Sequence, residues 1–500
     1  MTLVSSFNKT FEDYADKVAI EFNEKKVTFD EINKTANKFA NALSKHSVEK
    51  SDRVALFLTN SLEMIYAFAG ILKNGSIVVP MNTSFKEAEA KYMLKDSGTK
   101  LILTDKDTLP TLKKILPELK ELKHVVTIDS NEYIDFEEFI KNESDENPNV
   151  EVNDEDGSII FYTSGTTGRS KGALLSHYNM ESDLEALKQA WHLTSDDKLL
   201  LALPLYHIHG LGVALCSSFY TGYSFVFKKK FNAEESLKSI QDDKCTLFMG
   251  VPTMYVKMLD VQEKYDAGSM RLFISGSAPL SAETFKEFKD KFGQEILERA
   301  GMSETNMNFS NPYEGKRKPG TVGLPLLNVE VKFVDKNFNE VPQGKEGDIL
   351  LKGPNVLKGY WNAPDKTKES FHDGWFITGD IGKVDEDGYI SFVGRSKDLI
   401  ISGGLNIYPI EVEEVINSHP AVSESSIIGV KDKCFGEAVK VFVVLKNNSK
   451  VSDKEIIEYC KQRLASYKKP KYVEFIDSLP RNSMGKVQKT VLREREITKS

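Results

Sequence analysis

Short apolar runs of strand length alternate with amphipathic stretches of helix length in the first part of the chain. The runs at residues 54–58, 77–79 and 101–103 are rich in Val, Ile and Leu, whereas residues 29–45 carry apolar side chains at helical spacing. Because strands that alternate with helices form parallel sheets, the pattern predicts an α/β architecture with largely parallel sheets. The acidic, polar residues 141–156 predict a loop or a linker between subdomains.

The pattern changes in the last third of the chain. Residues 329–352 contain short strands broken by turn residues, with no long helix between them, which predicts a small antiparallel or barrel-like region. The last hundred residues show a separate mixed pattern, with a helix at residues 410–418 and a strand at residues 440–445. We therefore place a domain boundary near residues 394–398.

Length, charge and cysteine content exclude several classes of protein. A chain of 500 residues with 40% hydrophobic content exceeds what one core usually serves, so at least two domains are expected. No run approaches the ~18 apolar residues of a membrane span, and charges stand where a signal peptide needs apolar residues, which predicts a soluble, cytoplasmic protein. The net charge of −8 argues against a nucleic-acid binder. The four cysteines form no C-x-x-C pair and predict neither a zinc site nor a disulfide framework.

Residues 162–172, YTSGTTGRSKG, carry the clearest chemical signal and lie between two apolar runs. Hydroxyls, glycines and a lysine on a loop between strands suit polyphosphate, because backbone N–H groups and the ammonium can converge on its oxygens. The segment is not a Walker A loop, since Ser170 and Gly172 stand where that pattern needs Gly and then Ser or Thr. A flexible solvated loop is the alternative, which the composition disfavours.

Six further segments follow this loop along the chain. They are residues 203–210 (LPLYHIHG), 275–280 (SGSAPL), 301–304 (GMSE), 378–380 (TGD), 394–398 (GRSKD) and 481–486 (RNSMGK). Together with the loop, they resemble the motifs of the adenylate-forming superfamily, which contains acyl-CoA synthetases, luciferases and peptide-synthetase adenylation domains. The resemblance extends over nearly the whole chain. It implies an acid–thiol ligase that joins a carboxylic acid to AMP and then transfers the acyl group to coenzyme A.

The resemblance also implies an architecture. Residues 1–395 would form a large N-terminal domain of two doubly wound, mostly parallel sheets plus a small β-barrel region, which binds ATP and the acid. Residues 396–500 would form a small, mobile α+β C-terminal domain. Lys397 would be the hinge, where a few backbone torsions absorb the domain motion.

The chemistry explains the polar residues of these motifs. A carboxylate that attacks the α-phosphate of ATP is an anion meeting an anion, so the transition state needs Mg²⁺ and positive charge around the phosphates. By resemblance, Glu304 and Thr163 hold the metal and take part in catalysis. The same resemblance places the phosphates on Thr163, Ser164, Gly165, Thr166, Thr167, Gly168 and Lys171. It assigns to the rest of the nucleotide site Ser277, Ala278, Ala300, Ser303, Asp380, Arg395 and Lys397.

Within that set, Asp380 can accept two hydrogen bonds from the ribose hydroxyls, and Arg395 can reach the sugar or a phosphate. By resemblance, Lys486 contacts the reacting carboxylate and the α-phosphate. Rotation of the C-terminal domain then removes Lys486 and brings Gly403 and Gly404 to the mouth of the pantetheine channel. Glycines suit that place because the backbone must approach the thin pantetheine closely.

The two histidines of the LPLYHIHG segment have two interpretations. On a strand, His207 and His209 would face the same side, and a bare H-x-H pair suggests a metal site. No matching Cys, Asp or Glu pattern accompanies them. By resemblance, His207 instead gates between the acyl pocket and the CoA channel, while Ile208 and His209 line the acyl site.

Within the superfamily, the chain is most similar to the malonyl-CoA synthetases. The similarity rests on Leu297-Glu298-Arg299 ahead of the GMSE motif and on residues 305–315 after it. Arg299 would occupy the space that fatty-acid enzymes leave for a tail, and Ser277 and Met307 would complete the substrate site. Lys257 and Arg271 are further cations that structural ion pairs could equally explain. The expected partners are small molecules (malonate, ATP and coenzyme A), in a monomer or a homodimer.

One position departs from the family pattern, and several alternatives stay open. Ala300 stands where the family usually has a tyrosine that stacks on adenine, a contact typically worth ~1–3 kcal/mol. Weaker ATP binding is therefore expected. The acid could be another short carboxylic or dicarboxylic acid such as methylmalonate. A carrier-protein-loading adenylation enzyme and a nucleotide-binding pseudoenzyme are the two rival functions.

Overall fold

The computed structural model describes residues 2–163, 170–402, 405–432, 435–447, 449–482 and 485–497. Contacts between residues divide the chain into two compact units. The first contains Met1–Glu330 and Leu351–Phe376, and the second contains Val331–Leu350 and Ile377–Ser500.

The α-helices of the described residues are numbered in chain order. They are α1 Leu3–Asp13, α2 Phe29–Lys45, α3 Leu62–Lys73, α4 Glu87–Ser97, α5 Leu109–Ile115, α6 Phe136–Ile140, α7 His177–Ala190, α8 Cys216–Thr221, α9 Ala233–Asp242, α10 Pro252–Asp260, α11 Ala282–Phe292, α12 Pro364–Glu369, α13 Pro409–Asn417, α14 Asp453–Lys461 and α15 Lys489–Ile497. Short 3₁₀ turns form at Leu116–Glu118 and Ser396–Asp398, and a π-helix forms at His209–Leu215.

The strands are numbered in the same way. They are β1 Val18–Phe22, β2 Lys25–Thr28, β3 Arg53–Phe57, β4 Ile77–Pro80, β5 Leu101–Thr104, β6 His124–Thr127, β7 Ile134–Asp135, β8 Gly157–Thr163, β9 Lys171–Ser176, β10 Lys198–Leu201, β11 Ser224–Phe227, β12 Leu247–Gly250, β13 Leu272–Ser275, β14 Ile296–Met302, β15 Asn306–Ser310, β16 Leu324–Pro325, β17 Glu330–Val334, β18 Gly347–Lys352, β19 Gly359–Tyr360, β20 Phe371–His372, β21 Trp375–Val384, β22 Ile390–Arg395, β23 Ile400–Ser402, β24 Leu405–Ile407, β25 Val422–Asp432, β26 Gly436–Leu445 and β27 Tyr472–Phe475.

Two large sheets form the first unit. One has the order β16-β15-β14-β13-β12-β10-β11-β1-β2, and its central strands from β14 to β1 are parallel. The other has the order β19-β9-β8-β4-β3-β5-β6-β7, in which β8 to β7 are parallel and β9 and β19 are antiparallel additions. Helices join successive parallel strands, so the predicted mixed α/β fold with parallel sheets is confirmed.

Two five-stranded sheets occupy the region in which the sequence pattern changes. One has the order β17-β18-β21-β20 with β22 paired to β21, and it corresponds to the predicted small β region. The other, in the second unit, has the order β24-β23-β26-β25 with β27 parallel to β26. Helices α13 and α14 pack on it around a core that includes Val412, Val441 and Ile456.

The elements that the sequence predicted most sharply form where local signals agree. Helix α2 spans the predicted residues 29–45 because a buried apolar face coincides with a capping box. In that box the Thr28 hydroxyl accepts a hydrogen bond from the Glu31 N–H, and the Glu31 carboxylate accepts one from the Thr28 N–H. The predicted linker at residues 141–156 contains neither helix nor strand. Cys216, Cys245 and Cys460 are buried and free.

The carboxyl ends of adjacent parallel strands bring several motifs together. Strands β10, β12, β13 and β14 are consecutive in the nine-stranded sheet, and the LPLYHIHG and SGSAPL segments follow β10 and β13. Arg299 lies in the second half of β14. Ligands of open α/β sheets bind at this edge, so the fold itself points to a site there. Within the described part of the chain, no helix combines the length and the apolar character needed to cross a bilayer.

Candidate active site

Glu304 is the centre of a polar cluster in the first unit. Its side chain is buried, and its Oε1 atom accepts hydrogen bonds from the Thr163 hydroxyl at 3.2 Å and the Tyr360 hydroxyl at 3.1 Å. The Lys171 ammonium lies 4.8 Å from the centre of the Tyr360 ring. Strands β8, β9 and β19 are adjacent, which explains how Thr163, Lys171 and Tyr360 reach one place. Burial and the Glu304 carboxylate raise the pKa of Tyr360, so its hydroxyl stays a donor.

Part of the predicted phosphate loop lies outside the described residues. Those predicted residues are Ser164, Gly165, Thr166, Thr167 and Gly168. The described ends of the segment are Thr163, which closes β8, and Lys171, which opens β9. The two strands are antiparallel, with Thr163 opposite Lys171, so the segment joins two neighbouring strands as the sequence predicted.

The histidine segment does not form the strand on which the H-x-H metal interpretation depends. After β10 the chain turns at Pro204, and His209 begins the π-helix. The turn is tight, because a Cβ atom at Gly210 would lie 2.2 Å from the Pro204 carbonyl oxygen. His207 is partly exposed and Ile208 is buried. Among the residues with described positions, no group of three or more His, Cys, Asp or Glu side chains could hold a metal ion.

His209 is fully buried and faces the SGSAPL segment. Its Nδ1 atom lies 3.2 Å from the Ser277 hydroxyl, and its Nε2 atom has no hydrogen-bond partner. Burial and then the Arg299 cation keep the pKa of His209 well below its usual range, so the ring is neutral. Ser277 has a left-handed backbone, with φ of 69°, a conformation that non-glycine residues rarely adopt and that clusters at functional sites. Ala278, beside it, is half-buried.

Arg299 is a buried cation whose donors are largely unused. The residue is 3% exposed, and its Nε and Nη2 atoms have no hydrogen-bond partner. The guanidinium lies against Gly276, where an added Cβ atom would come within 2.6 Å of Cζ. Burial lowers the pKa of Arg299 to about 10, and the side chain therefore stays charged at neutral pH. Buried polar groups are nearly always hydrogen-bonded, so these donors are available to a ligand.

The acids near Arg299 lie on two sides of β14. Glu298 faces the other side, where its Oε1 atom accepts a hydrogen bond from the Leu280 N–H at 3.0 Å, as strand alternation predicts. Asp183, from α7, is buried, and its charge acts on Arg299. Its Oδ1 atom accepts a hydrogen bond from the Met307 N–H at 3.0 Å. Met307 is itself buried beside this group, on the strand next to Arg299.

Three more residues of the first unit were singled out from the sequence: Ala300, Ser303 and Arg271. Ala300 is buried on β14 opposite Phe309, and Ser303 is half-buried in the turn before Glu304. Arg271 pairs with Asp197 through two hydrogen bonds of 2.6 and 2.7 Å, which favours the structural interpretation of that cation.

In the second unit, Asp380 and Arg395 lie opposite each other on β21 and β22. The Arg395 Nε atom is 2.9 Å from the Asp380 Oδ1 atom, and the Asp380 N–H donates to the Thr378 hydroxyl at 3.0 Å. Lys397 lies in the 3₁₀ turn that follows, where burial and then Arg395 lower its pKa. The strands thus present a carboxylate and a guanidinium side by side.

Lys486 belongs to a tight loop of the second unit. The Asn482 N–H donates to the Lys486 carbonyl, and the Asn482 side chain accepts from the Lys486 N–H, both at 2.9 Å. The residue keeps more than a third of its surface exposed, whereas its ammonium loses hydration. Desolvation, followed by the Arg395 cation, lowers the pKa of Lys486 to about 8. Gly403 and Gly404, the predicted channel glycines, lie outside the described residues.

Two residues of these clusters were missed from the sequence. Tyr360 lies 56 positions after Glu304 in a short strand, and nothing in its surroundings signals a contact with that carboxylate. Asp183 did leave a signal, because it lies three residues after Met180 and four before Leu187, both fully buried. An acid on the apolar face of an amphipathic helix is unusual and marks a candidate functional group.

Together these features are typical of enzymes that activate a carboxylic acid by joining it to AMP. A buried carboxylate with hydroxyl neighbours lies beside the phosphate-loop sequence, and a separate buried cation lies at the carboxyl edge of a parallel sheet. The class is therefore that of the adenylate-forming enzymes.

Comparisons with known proteins bear out this class. The AMP-binding enzyme family matches residues 7–361, and the AMP-binding enzyme C-terminal domain matches residues 411–486. The ATP-bound crystal structure of MatB from Rhodopseudomonas palustris has a TM-score of 0.94 and 40% identity, over 99% of both chains. A long-chain-fatty-acid–CoA ligase of Bacillus subtilis is 35% identical, covering 99% of this chain and 94% of its own length. A malonate–CoA ligase of Arabidopsis thaliana is 34% identical, covering 89% of this chain and 78% of its own length.

These matches extend over most of the chain. The chain therefore belongs to the AMP-binding enzyme family and is an adenylate-forming acyl-CoA ligase.

Proposed function

We propose that this ligase is a malonyl-CoA synthetase, which converts malonate, ATP and coenzyme A into malonyl-CoA, AMP and diphosphate through a malonyl-adenylate. The observation that carries the proposal is the buried guanidinium of Arg299, with its free Nε and Nη2 donors. Relatives at 34 and 35% identity are named for malonate and for long-chain fatty acids, so overall similarity does not select the acid.

The distal carboxylate of malonate fits these free donors. One carboxylate of malonate attacks ATP, and the other must leave water to enter the acyl pocket. Burying that charge alone would cost several kcal/mol, so a fixed cation is needed. Arginine suits the task because its planar guanidinium can bond both carboxylate oxygens and resists deprotonation. A fatty-acid tail would instead place hydrocarbon against an unpaired buried charge.

The neighbours of Arg299 support a short acid. His209 is neutral and buried, with an unused Nε2 atom, and Ser277 holds its other nitrogen. Ile208 and Met307 supply apolar surface close to these polar groups. We assign Arg299, His209, Ile208, Ser277 and Met307 to the acid, and the partly exposed His207 to the passage toward coenzyme A.

The Glu304 cluster suits Mg²⁺ and the phosphates of ATP. Its donors are carboxylate and hydroxyl oxygens, the ligands that Mg²⁺ prefers, and one or two carboxylates plus substrate phosphates are its usual protein site. Glu304 and Thr163 would hold the ion, which neutralises charge that develops on the phosphates. Lys171 and residues 164–168 would bind the β- and γ-phosphates. Ala278, Ala300 and Ser303 would line the rest of the nucleotide site.

The second unit would complete the two half-reactions. Asp380 would bind the ribose hydroxyls, with Arg395 beside it, and Lys486 would stabilise charge at the α-phosphate during adenylation. We further propose domains at residues 1–395 and 396–500, with Lys397 as the hinge and Gly403 and Gly404 beside the pantetheine in the second step.

A substrate panel tests the proposal. The purified enzyme is supplied with ATP, Mg²⁺ and either malonate, methylmalonate, succinate, acetate, butyrate or octanoate, with and without coenzyme A. Release of AMP and diphosphate and formation of acyl-CoA are measured for each acid. We expect the highest kcat/KM with malonate and acyl-CoA formation with free coenzyme A.

Other outcomes distinguish the alternatives. A preference for octanoate would overturn the malonate assignment while keeping the ligase class. Adenylation without transfer to free coenzyme A would indicate loading of a carrier protein, and ATP binding without AMP release would indicate a pseudoenzyme.

A further inference from the structure

Asp183 is a buried carboxylate that the proposed reaction does not use. It lies on α7, is 2% exposed, and holds the N–H of Met307 through its Oδ1 atom at 3.0 Å. Strand β15, which carries Met307, pairs directly with β14, which carries Arg299. The helix therefore places an acid against the strand pair that forms the predicted acid site.

The charge of Asp183 acts on Arg299, but Asp183 accepts no hydrogen bond from the Nε or Nη2 atom of Arg299. In the absence of substrate, the ionised form of the acid offsets the buried cation while leaving those two donors free. A buried charge without compensation is costly, so a second charge of opposite sign in the pocket is expected. Asp183 supplies that charge from the side of α7.

We propose that ionised Asp183 is the counter-ion of Arg299 in the empty site, and that it binds a proton when the distal carboxylate of a dicarboxylic acid pairs with Arg299. This inference rests on the proposed function. Asp183 is thus a positioning residue for Arg299, and the site takes up its dianionic acid together with the fraction of a proton that Asp183 lacks in the free enzyme.

The balance of charges supports this coupling. One guanidinium facing two carboxylates would leave a net negative charge in a buried place. The proton comes from solvent and forms an O–H bond on Asp183, and no other bond changes. The protonated acid keeps a carbonyl oxygen that can still accept the Met307 N–H.

Groups on the neighbouring elements leave Asp183 as the acid that titrates on this side. Burial raises the pKa of the Asp183 carboxyl to about 8, and the Met307 N–H and Arg299 oppose that rise.

The other titratable groups near Arg299 do not titrate on this side. Cys216, on α8, has a pKa raised well above its usual value by burial, and His209 stays neutral. Tyr255, which also faces Arg299, has a raised pKa. Burial raises the pKa of Glu298 to about 8 as well, but that carboxyl lies on the other face of β14.

Substrate binding should raise the pKa of Asp183 further, because the new carboxylate neutralises Arg299. A group whose pKa rises on binding favours binding fully below its free pKa and loses that contribution as the pH rises above it. The Kd for malonate should therefore increase on the order of tenfold between pH 7 and pH 9. The Kd for butyrate, which lacks the distal carboxylate, should increase less than the Kd for malonate.

Isothermal titration calorimetry with a non-hydrolysable ATP analogue tests the inference. Malonate and butyrate are titrated at pH 7, 8 and 9, and at pH 8 in two buffers with different ionisation enthalpies. At pH 8, wild-type enzyme should take up a larger fraction of a proton with malonate than with butyrate. In the proposed function the reacting carboxylate meets Lys486 with both acids, so any uptake at Lys486 is common to both and drops out of the difference.

Two variants locate the proton. Asp183→Asn keeps an oxygen for the Met307 N–H but cannot titrate, so the excess proton uptake with malonate over butyrate should disappear, and the malonate Kd should depend on pH as the butyrate Kd does. Glu298→Gln is the matched control, and it should keep the proton uptake of the wild type.

The outcomes separate this inference from the function it rests on. If malonate binds no better than butyrate, the proposed function fails, and the inference fails with it. If wild-type enzyme prefers malonate but takes up no more proton with it than with butyrate, or if Asp183→Asn keeps that excess, only the role of Asp183 is overturned. Equal uptake with the two acids in the wild type overturns that role even where a variant folds poorly.

Discussion

The proposed site cations of the two units differ in their burial and in their hydrogen-bond partners. Arg299, in the first unit, is 3% exposed and leaves two donors unused. Arg395 and Lys486, in the second unit, are both more exposed, and Arg395 already pairs with Asp380 at 2.9 Å. The surroundings of Arg299 therefore indicate what kind of ligand it binds. The roles of Arg395 and Lys486 are inferred only from the motifs that contain them.

This difference shows at which cations the geometry alone indicates what kind of substrate binds. A buried, unpaired donor restricts the ligand to an acceptor of matching charge and shape. A cation that already pairs with a carboxylate, as Arg395 does with Asp380, restricts the ligand less, because that partner already satisfies it. The following experiments test whether Arg299 sets specificity and whether Lys486 sets the rate.

Replacing Lys486 should give the largest effect. Lys486→Ala should lower the rate of malonyl-adenylate formation by about 100- to 1000-fold, because a donor aimed at developing charge is lost. Transfer of a preformed malonyl-adenylate to coenzyme A should remain largely intact, since in the proposed function the lysine acts in the first step only. Diphosphate release measures the first half-reaction, and malonyl-CoA formation from synthetic malonyl-adenylate measures the second.

Acetylation of Lys486 provides a second route to the same loss, because it removes the charge. Enzyme that is acetylated uniformly at this position should resemble the alanine variant. Equal losses in the two half-reactions of Lys486→Ala, or full activity of the acetylated enzyme, would contradict the assignment.

Replacing Arg299 should affect the kinetics with malonate and with butyrate differently. Truncating one member of a buried charge pair typically costs roughly 2–5 kcal/mol, so Arg299→Leu should lower kcat/KM for malonate by at least ~30-fold. Butyrate should lose far less and can gain, because the wild-type enzyme leaves Arg299 unpaired when it binds butyrate. Steady-state kinetics with both acids give the comparison.

Arg271→Leu is the matched control, since this arginine pairs with Asp197 away from the proposed pocket. It should lower the melting temperature and affect malonate and butyrate by the same factor. If Arg299→Leu behaves in that same way, Arg299 is structural, and the malonate assignment loses its main support.

The sequence predicted the elements whose signals are local. Helix α2 was placed correctly because its apolar face and its Thr28–Glu31 capping box lie within the same short segment. The conformation of the H-x-H pair could not be predicted, because two residues of spacing fit several conformations. The turn at Pro204 and the contact of Gly210 with it depend on packing that the local pattern does not contain.

The site could be predicted as a set of residues but not as a network. Glu304, Thr163 and Lys171 belong to motifs, and the structure adds that Tyr360 joins them. The partner of Asp183 is 124 positions away, in another strand. Contacts over such separations depend on strand order, which no short segment specifies.

A methyl group at Gly276 should disturb Arg299 without removing it. The added Cβ atom would lie 2.6 Å from the Arg299 Cζ atom, so the guanidinium must move. Overpacking of this kind typically costs about 1–3 kcal/mol, and Gly276→Ala should lower kcat/KM for malonate by about tenfold. Butyrate kinetics should change less than about twofold.

A double-mutant cycle checks the cause. In an Arg299→Leu background, Gly276→Ala should have little further effect on malonate, because the displaced group is already gone. Additive losses would show that Gly276 acts through the loop of Ser277 instead.

The smallest effect is expected at Ala300, which lies buried on β14 opposite Phe309. Ala300→Tyr should lower the KM for ATP severalfold, because an aromatic ring that stacks on a base is typically worth ~1–3 kcal/mol. The KM for malonate should stay nearly constant, since the ring would contact only the adenine. Ala300→Leu is the matched control: it adds apolar volume without a ring face, so it should not reproduce the gain. An unchanged or raised KM for ATP in Ala300→Tyr would show that this enzyme holds adenine by other contacts.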